Sequence, residues 1–231
     1  MTEPVVSISD LRFAWTPGQD VLDIETFTLN AGERLFLRGP SGSGKSTFLG
    51  IVAGVLEASS GSVQILGHDL TELKPAARDR LRADHLGVIF QMFNLVPYLS
   101  VIGNVTLPLR FSPARRAAIA GEEDAEARRL LARLGLTDES LLLRRVSDLS
   151  VGQQQRVAAA RALIGGPEIV IADEPTSALD AHVRDQFISL LSDEAQRTGA
   201  ALLFVSHDAG LADHFDRAVD LSDINRAGVS A

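Results

Sequence analysis

Residues 39–47 read Gly39-Pro40-Ser41-Gly42-Ser43-Gly44-Lys45-Ser46-Thr47. The apolar run before them, 34–38, predicts a short strand, and residues 48–55 predict a helix. A glycine-rich turn between a strand and a helix is the setting of a phosphate-binding loop, because its glycines let backbone N–H groups turn inward toward anionic oxygens. Lys45 is then placed to reach the β- and γ-phosphates, and the Ser46 hydroxyl is placed to hold Mg²⁺. The stretch therefore predicts binding of a nucleoside triphosphate. A dinucleotide-binding loop fits less well, because Thr47 stands where its third glycine should fall.

Composition describes an ordinary globular protein. The 231 residues are 45% hydrophobic and 23% charged, which suits one domain with a sizeable core. No apolar run approaches the roughly 18 residues that cross a bilayer. Residues 1–4 lack the basic start of a signal peptide, and residues 225–231 are not expected to add a regulatory domain. The chain has no cysteine, which fits a reducing cytoplasm, and its net charge of −8 argues against a protein built mainly to hold nucleic acid. Its histidines show no metal-ligand spacing.

Strand and helix patterns alternate along the chain and predict an α/β fold. Strands are expected at 5–15, 20–29, 34–38, 62–66, 86–90, 169–172 and 200–205, and further helices at 74–82, 112–134, 151–164 and 179–197. Ser150 is a plausible N-cap of the helix at 151–164. The charged run in 122–133 is expected to be a solvated helix face with i,i+4 pairs. Residues from about 95 to 160 look like a helical insert, so we expect a single domain over 1–231 with a core of about 1–94 and 161–231.

Two apolar features have alternative interpretations. Trp15 lies at the end of the first predicted strand, where it is either a half-buried core residue or a flat platform for an adenine ring. The proline-broken segment 92–99 is either core of the helical insert or an exposed groove for a partner.

The apolar strand 169–172 ends in two carboxylates, Asp173 and Glu174. In a nucleotide hydrolase, Asp173 would belong to the Mg²⁺ shell and Glu174 would orient or deprotonate the attacking water. Paired acids after a strand also occur in solvated loops, but the phosphate-binding loop upstream favours the catalytic interpretation. His207 follows another apolar strand and is either a donor to the γ-phosphate or an ordinary turn residue.

Residues 149–157 read Leu149-Ser150-Val151-Gly152-Gln153-Gln154-Gln155-Arg156-Val157 and resemble the signature motif of ABC transporter ATPases. The other motifs of that family flank it in order along nearly the whole chain. Residues 39–47 resemble the Walker A loop, Gln91 the Q-loop glutamine, 169–174 the Walker B strand with its catalytic glutamate, 177–180 the D-loop ending in Asp180, His207 the switch histidine, and Trp15 the adenine-stacking aromatic.

The resemblance implies a P-loop NTPase fold of the ABC-ATPase type, with a mainly parallel RecA-like core sheet, an N-terminal antiparallel β part and a helical signature subdomain. It also implies that two such domains sandwich two ATP molecules with Mg²⁺, that Gln91 joins Ser46 and Asp173 at the metal, and that Asp180 lies at the nucleotide site. Ser150 and Gly152 of one subunit would complete the γ-phosphate site against the Walker A loop of the other, and Gln153 would be a further ATP-binding residue.

The chain carries one phosphate-binding loop and one signature motif, so hydrolysis is expected to need a homodimer or a paralogous ATPase partner. Such a dimer would work on an integral membrane permease from the inner face of the cell membrane, with contact near 93–99, and would bind no nucleic acid. Segments 89–97 and 104–109 are similar to the lipoprotein-release and macrolide-efflux type. The alternatives are a division-type complex without transport and a soluble ABC ATPase acting on ribosomes or DNA. A catalytically silent binder is disfavoured, because Lys45, Asp173, Glu174 and His207 are all present.

Val151 departs from the family pattern, which usually has glycine at this position. A β-branched residue restricts the backbone there. Either the side chain faces away and hydrolysis is normal, or hydrolysis is slowed; we expect the milder outcome because the other catalytic positions are intact.

Overall fold

The computed structural model describes residues 4–177 and 179–227, and within them the strands form two sheets. The antiparallel sheet contains β1 (Pro4–Thr16), β2 (Gln19–Asn30), β4 (Ser60–Ile65) and β5 (His68–Asp69). The parallel sheet contains β3 (Arg34–Arg38), β6 (Leu86–Ile89), β7 (Ile169–Asp173), β8 (Ala201–Val205) and β9 (Arg217–Asp220). Their orders are β2-β1-β4-β5 and β6-β7-β8-β3-β9, and every pairing in the second sheet is parallel. The α/β fold expected from the sequence, with its antiparallel part, is confirmed.

The helices lie between these strands in the chain. They are α1 (Lys45–Val52), α2 (Pro75–His85), α3 (Val101–Thr106), α4 (Pro113–Ala117), α5 (Glu123–Arg133), α6 (Val151–Leu163), α7 (Ala181–Thr198) and α8 (Leu221–Ile224). Short 3₁₀ turns occur at Leu107–Arg110, Glu139–Leu141, Val146–Asp148 and Ala209–His214. No helix in the described part of the chain has the length and apolar character needed to cross a membrane.

Both faces of the parallel sheet are buried, which explains why its strands are apolar without alternation. On one face, Leu35, Ile171 and Leu203 pack with the antiparallel sheet and α1. On the other face, Phe36 and Phe204 pack with α3, α5, α6 and α7. The sheet is therefore the middle layer of the molecule and holds the ends of its strands rigidly.

The single helix expected over 112–134 is wrong, because the chain forms two helices, α4 and α5, with a break between them. Gly121 lies in this break with φ 120°, a value that side chains with a Cβ rarely adopt. Ser112 caps the first of the two helices by accepting a hydrogen bond from the Arg115 N–H. α3 was not predicted, because it is only six residues long.

The expectation of i,i+4 pairs over 122–133 is also wrong, although Glu122, Asp124 and Arg133 are exposed as a solvated face would be. Glu126 pairs with Arg129 at i,i+3, and Arg129 and Arg133 reach across to Glu194 on α7. Glu194 is 1% exposed and also binds Arg197 of its own helix. These arginines therefore hold α5 against α7 instead of only facing solvent.

Candidate active site

The parallel strands bring the predicted site residues to one edge of the sheet. Because β3, β6, β7 and β8 run in the same direction, the segments that follow them meet at their carboxyl ends, where α/β proteins bind ligands. A cavity of about 690 Å³ opens there. It is lined by Trp15, Val21, Ser41, Gly42, Gly44, Lys45, Ser46, Thr47, Gln91, Asp173, Glu174 and His207.

The loop between β3 and α1 has the shape of an anion cradle. Gly42 and Gly44 have φ values of 81° and 95°, which turn the backbone into the left-handed region, and Gly44 is the N-cap of α1. The Lys45 ammonium folds back across the loop and donates to the carbonyl oxygens of Gly39 at 2.6 Å and Pro40 at 2.9 Å. The cationic group therefore lies over a nest of backbone N–H groups at a helix N-terminus, which is the arrangement that binds phosphate.

Asn225, far along the chain, supports this loop through hydrogen bonds, whereas the hydroxyl of Ser43 in the loop makes none within the described residues. The Ser43 hydroxyl is buried and has no hydrogen-bond partner within residues 4–177 and 179–227. The Asn225 amide donates to the carbonyl oxygens of Val21 at 3.0 Å and Ser43 at 3.5 Å, and its side-chain oxygen accepts from the Asp23 N–H at 2.8 Å. Sequence reasoning missed Asn225 and Val21, because no motif links them to a loop that lies far away in the chain.

Asp173 and Glu174 stand at the end of β7, in the middle of this edge. Burial raises the pKa of Asp173, the negative charge of Glu174 raises it further, and Lys45 opposes both. Glu174 has φ 46°, a left-handed value that is uncommon outside glycine, and its N–H donates to the Val205 carbonyl of β8 at 2.9 Å. The backbone is thus bent sharply after Asp173, so that both carboxylates face the cavity.

Glu174 contacts His207 directly. The His207 Nδ1 lies 2.9 Å from both carboxylate oxygens of Glu174, and the Ser206 hydroxyl donates to the same carboxylate at 3.4 Å. The Glu174 side chain is 12% exposed, whereas that of His207 is 67% exposed. The carboxylate is therefore held from one side, and the imidazole faces the open part of the cavity.

Trp15 is not a core residue, since it is 64% exposed. Its ring meets that of Phe13 edge to face, with centroids 4.9 Å apart, and it lines the cavity together with residues of the phosphate-binding loop. An exposed indole beside a phosphate-binding loop is a suitable surface for a nucleotide base.

The residues of the signature segment and Asp180 are not among those that line this cavity. Ser150 and Gln153 form a capping box at the start of α6, in which the Gln153 N–H donates to the Ser150 hydroxyl and the Ser150 N–H donates to the Gln153 side chain. Gly152 lies in the first turn of the same helix. Asp180 caps α7 by accepting from the Val183 N–H at 3.0 Å. Ala178, within the segment that resembles the D-loop, lies outside the described residues.

The oxygen groups of Ser46, Gln91 and Asp173 fit a magnesium ion. In the described part of the chain no group of three or more histidine or acidic side chains is suited to a metal. Mg²⁺ does not require one, because it commonly binds one or two protein oxygens together with substrate phosphates and waters. A hydroxyl, an amide oxygen and a half-buried carboxylate beside a phosphate-binding loop meet that need.

A second, larger cavity of about 870 Å³ adjoins the first. Its wall is mostly apolar and includes Leu49, Val55, Phe90, Leu107 and Phe111, while Ser46 and Asp173 line both cavities.

The segment 92–99 was expected to be either core or an exposed partner surface, and it is partly both. Phe93 and Leu95 pack against the core, whereas Met92 is 82% and Tyr98 75% exposed.

Comparison with known proteins supports the resemblance to ABC transporter ATPases that the sequence motifs indicated. The family model described as ABC transporter matches residues 22–177. The lipoprotein-releasing system ATP-binding protein LolD of Anaeromyxobacter dehalogenans is 39% identical over 226 residues, covering 95% of this chain and 91% of that protein. The macrolide export ATP-binding/permease protein MacB of Rhodopseudomonas palustris is 41% identical over 227 residues, but this chain spans only 33% of its length.

A solved structure has the same fold at similar identity. It is the dimeric, post-hydrolysis ATP-binding cassette MJ0796 bound to ADP and phosphate, with a TM-score of 0.83 and 34% identity over 93% of each chain. The expected family, with its ATP-binding and ATP-hydrolysing activity, is therefore confirmed, and the chain belongs to the ABC transporter family.

Proposed function

We propose that this chain is the ATPase subunit of a membrane transport or mechanotransmission complex, and that two copies, or one copy and a paralogue, close around two ATP molecules. The observation that carries the proposal is the division of the site. Lys45, Glu174 and His207 share one cavity, whereas Ser150 and Gly152, which the family uses at the γ-phosphate, do not line it. A second subunit would supply the missing wall.

Within this site each group has a proposed role. Trp15 stacks on the adenine ring, and the backbone N–H groups of 39–47 with the Lys45 ammonium bind the phosphates. Glu174 accepts a proton from the attacking water, and His207 donates to the γ-phosphate from the other side. Ser46, Gln91 and Asp173 would hold Mg²⁺, which when bound neutralises charge on the phosphate oxygens.

The contact between Glu174 and His207 gives the carboxylate its orientation. A base must point its oxygen at the water it activates, and the imidazole 2.9 Å away restrains the Glu174 side chain to one direction. The Ser206 hydroxyl adds a second restraint. The pair therefore serves as one unit, in which His207 positions the base in addition to contacting the phosphate.

The permease is proposed to bind the larger, apolar cavity and the exposed side chains of the neighbouring segment. Phe90, Phe111, Met92 and Tyr98 are exposed there, which is unusual for aromatic and large apolar side chains unless a partner covers them. The similarity to LolD and MacB supports a permease of the lipoprotein-release or macrolide-efflux type, reached from the cytoplasmic face of the membrane. The helical insert at about 95–160 is proposed to be the subdomain that faces this permease.

Glu174→Gln tests the closed dimer. We expect this variant to bind ATP without hydrolysing it and to elute as a dimer from a sizing column in ATP and Mg²⁺, because the general base is lost while the phosphate contacts remain. The double variant Lys45→Ala, Glu174→Gln is the control and should stay monomeric, because it lacks the phosphate contact. If Glu174→Gln also stays monomeric while ATP is bound, the two-subunit site is wrong for the isolated chain.

The nature of the partner separates the alternatives. The Glu174→Gln variant, tagged and recovered with ATP from gently solubilised membranes of its host, should bring down a polytopic membrane protein. Recovery of ribosomal or DNA-bound proteins without a membrane protein would favour a soluble ABC ATPase instead. A membrane partner that belongs to the division machinery and moves no substrate would favour the division-type complex.

A further inference from the structure

Arg161 connects α6 to the segment that follows Gln91. Its Nη1 donates to the carbonyl oxygen of Asn94 at 2.7 Å, and its Nη2 donates to the carbonyl oxygen of Phe93 at 2.5 Å. Burial lowers the pKa of Arg161, so its charge is desolvated and its donors are directed at these two oxygens. Hydrogen bonds from a charged donor are stronger than neutral ones, especially away from water.

The backbone that Arg161 holds has an uncommon conformation. Phe93 and Asn94 have φ values of 57° and 49°, so two consecutive non-glycine residues are left-handed. Bulky residues occupy this region only where the surroundings impose it. Two successive left-handed residues turn their carbonyls the same way, as in a helical turn, which creates a pair of acceptors that a single guanidinium can bridge. The Phe93 ring, packed against the core, is the other anchor of the segment.

We propose that Arg161 is a positioning residue for Gln91. By fixing the turn at 93–94 it sets where the chain leaves β6, and therefore where the Gln91 side chain lies beside Ser46 and Asp173 in the cavity. This inference rests on the proposed function, because the role of Gln91 at the metal belongs to it.

The position of Arg161 on α6 gives the contact a second consequence. Ser150 and Gly152 lie at the start of this helix, and Arg161 lies near its end, about 15 Å along the axis at 1.5 Å per residue. α6 thus carries the signature segment at its start. Near its end, Arg161 is hydrogen-bonded to residues 93–94, which follow Gln91 in the chain. A displacement of α6 that brings Ser150 to a nucleotide on a second subunit would also move Gln91 in its own subunit.

If Arg161 had a purely structural role, its substitution would have a different effect. If the guanidinium only filled the wall of the larger cavity, its removal would lower stability without a specific effect at the metal side of the site. The test therefore needs readouts that separate the order of 91–96 from global stability, and it needs a measurement of Mg²⁺ binding that does not depend on turnover.

The variants are Arg161→Met and Arg161→Lys, each combined with Glu174→Gln so that bound ATP is not hydrolysed. Arg217→Met is the control for loss of an arginine that donates to a backbone carbonyl, because Arg217 donates to that of Thr28 at 2.5 Å, pairs with Glu33 and lines neither cavity. Gln91→Ala is the reference for loss of the glutamine itself. The measurements are amide hydrogen exchange of 91–96 without nucleotide, ATP affinity without metal, and the Mg²⁺ concentration that half-saturates the ATP-bound protein.

We expect Arg161→Met to speed exchange at 93–96 about tenfold or more, because opening of the turn no longer breaks two hydrogen bonds. It should also raise the half-saturating Mg²⁺ concentration in the same direction as Gln91→Ala, with ATP affinity in the absence of metal unchanged. Arg161→Lys should fall between, since an ammonium lacks the planar fork that bridges two oxygens. Arg217→Met should change neither readout.

Two results would overturn the inference. Unchanged exchange at 93–96 in Arg161→Met would show that Arg161 does not hold the turn. Faster exchange with unchanged Mg²⁺ binding, when Gln91→Ala does alter it, would show that the turn does not position Gln91. A Gln91→Ala variant that itself binds Mg²⁺ normally would instead remove the proposed metal role of Gln91, and the inference with it. If Arg161→Met does not fold, the same two measurements on Arg161→Lys, hydrogen exchange at 93–96 and Mg²⁺ binding, decide between these outcomes.

Discussion

Val151, which stands where the signature motif usually has glycine, lies at an exposed helix start. It is the first residue of α6, its side chain is 50% exposed, and the capping box of Ser150 and Gln153 next to it is intact. The valine side chain therefore is not packed into the core of its own subunit, and normal hydrolysis stays a prediction.

We expect Val151→Gly to change the ATPase rate by less than tenfold. The same substitution should lower the free energy of unfolding by about 0.5 kcal/mol or less, because glycine is only slightly poorer than valine as a helix former. Steady-state turnover and thermal denaturation measure the two effects. A tenfold or greater rise in turnover, about 1.4 kcal/mol of barrier, would show that the valine restricts the nucleotide site.

For single side chains, the sequence was sufficient to predict that four of the proposed site residues meet in one cavity. Lys45, Asp173, Glu174 and His207 each follow an apolar strand, and parallel strands bring such positions to one edge. The approach of His207 to Glu174 and the hydrogen bonds of Asn225 were beyond the sequence. Both depend on how segments far apart in the chain are oriented, which no local spacing encodes.

At the scale of secondary-structure elements, α5 and α7 are joined by a cluster of charges around Glu194. Burial raises the pKa of Glu194, but hydrogen bonds from Arg197 and Arg129 outweigh it and lower the pKa to about 2. Arg133 donates to the same carboxylate at 2.7 Å. An ionised carboxylate that is 1% exposed is stable here only because these donors satisfy it.

We expect Glu194→Gln to lower the free energy of unfolding at pH 7 by about 1.5–3 kcal/mol, the range for hydrogen bonds to charged groups. Because the pKa of Glu194 is lowered on folding from its ordinary value of 4.5 to about 2, the stabilisation is complete above about pH 4.5 and is lost as the pH falls toward 2. The difference between the variant and the native chain should therefore shrink across that interval.

Urea denaturation at a series of pH values measures this difference. Glu126→Gln is the control, because Glu126 binds the same Arg129 at 2.7 Å but its side chain is 25% exposed, so its loss should cost less than about 1 kcal/mol. A difference for Glu194→Gln that stays constant from pH 7 to pH 3 would contradict the assigned pKa shift.

The two wrong predictions from the sequence, the pairs over 122–133 and the single helix over 112–134, both concern how helices pack and where they end. The charges of 122–133 suggested pairs along one helix, and the true partner, Glu194, lies on another helix 61 residues beyond Arg133. The helix over 112–134 was expected to continue, since its composition favours helix throughout and only Gly121 marks the break. Propensity describes local preference, whereas packing against α7 and the sheet decides where α4 ends and α5 begins.

For the molecule as a whole, the larger cavity is the surface that we propose as the docking site of the permease. Phe111 is 65% exposed at its rim, although phenylalanine is usually buried. We expect Phe111→Glu to abolish recovery of the permease from solubilised membranes, because a charge would have to be buried in the contact. ATP binding and thermal stability should stay close to those of the native chain.

Leu143→Glu is the control for this experiment, since Leu143 is 77% exposed but does not line the cavity. It adds the same charge to the surface and should leave permease recovery intact. Loss of the permease with both variants would indicate a general effect of charge, and retention with both would exclude the cavity as the docking surface.

Ser46 and Asp173 belong to the walls of both cavities. A partner in the larger cavity would contact two residues that also line the nucleotide cavity, so we expect the two binding events to share part of their free energy. Thermodynamic linkage makes that sharing symmetrical: whatever factor ATP contributes to the affinity for a partner, the partner must return to the affinity for ATP. Nucleotide affinity measured on the isolated chain is thus one corner of a cycle, and the proposed complex with a permease would have a different affinity for ATP.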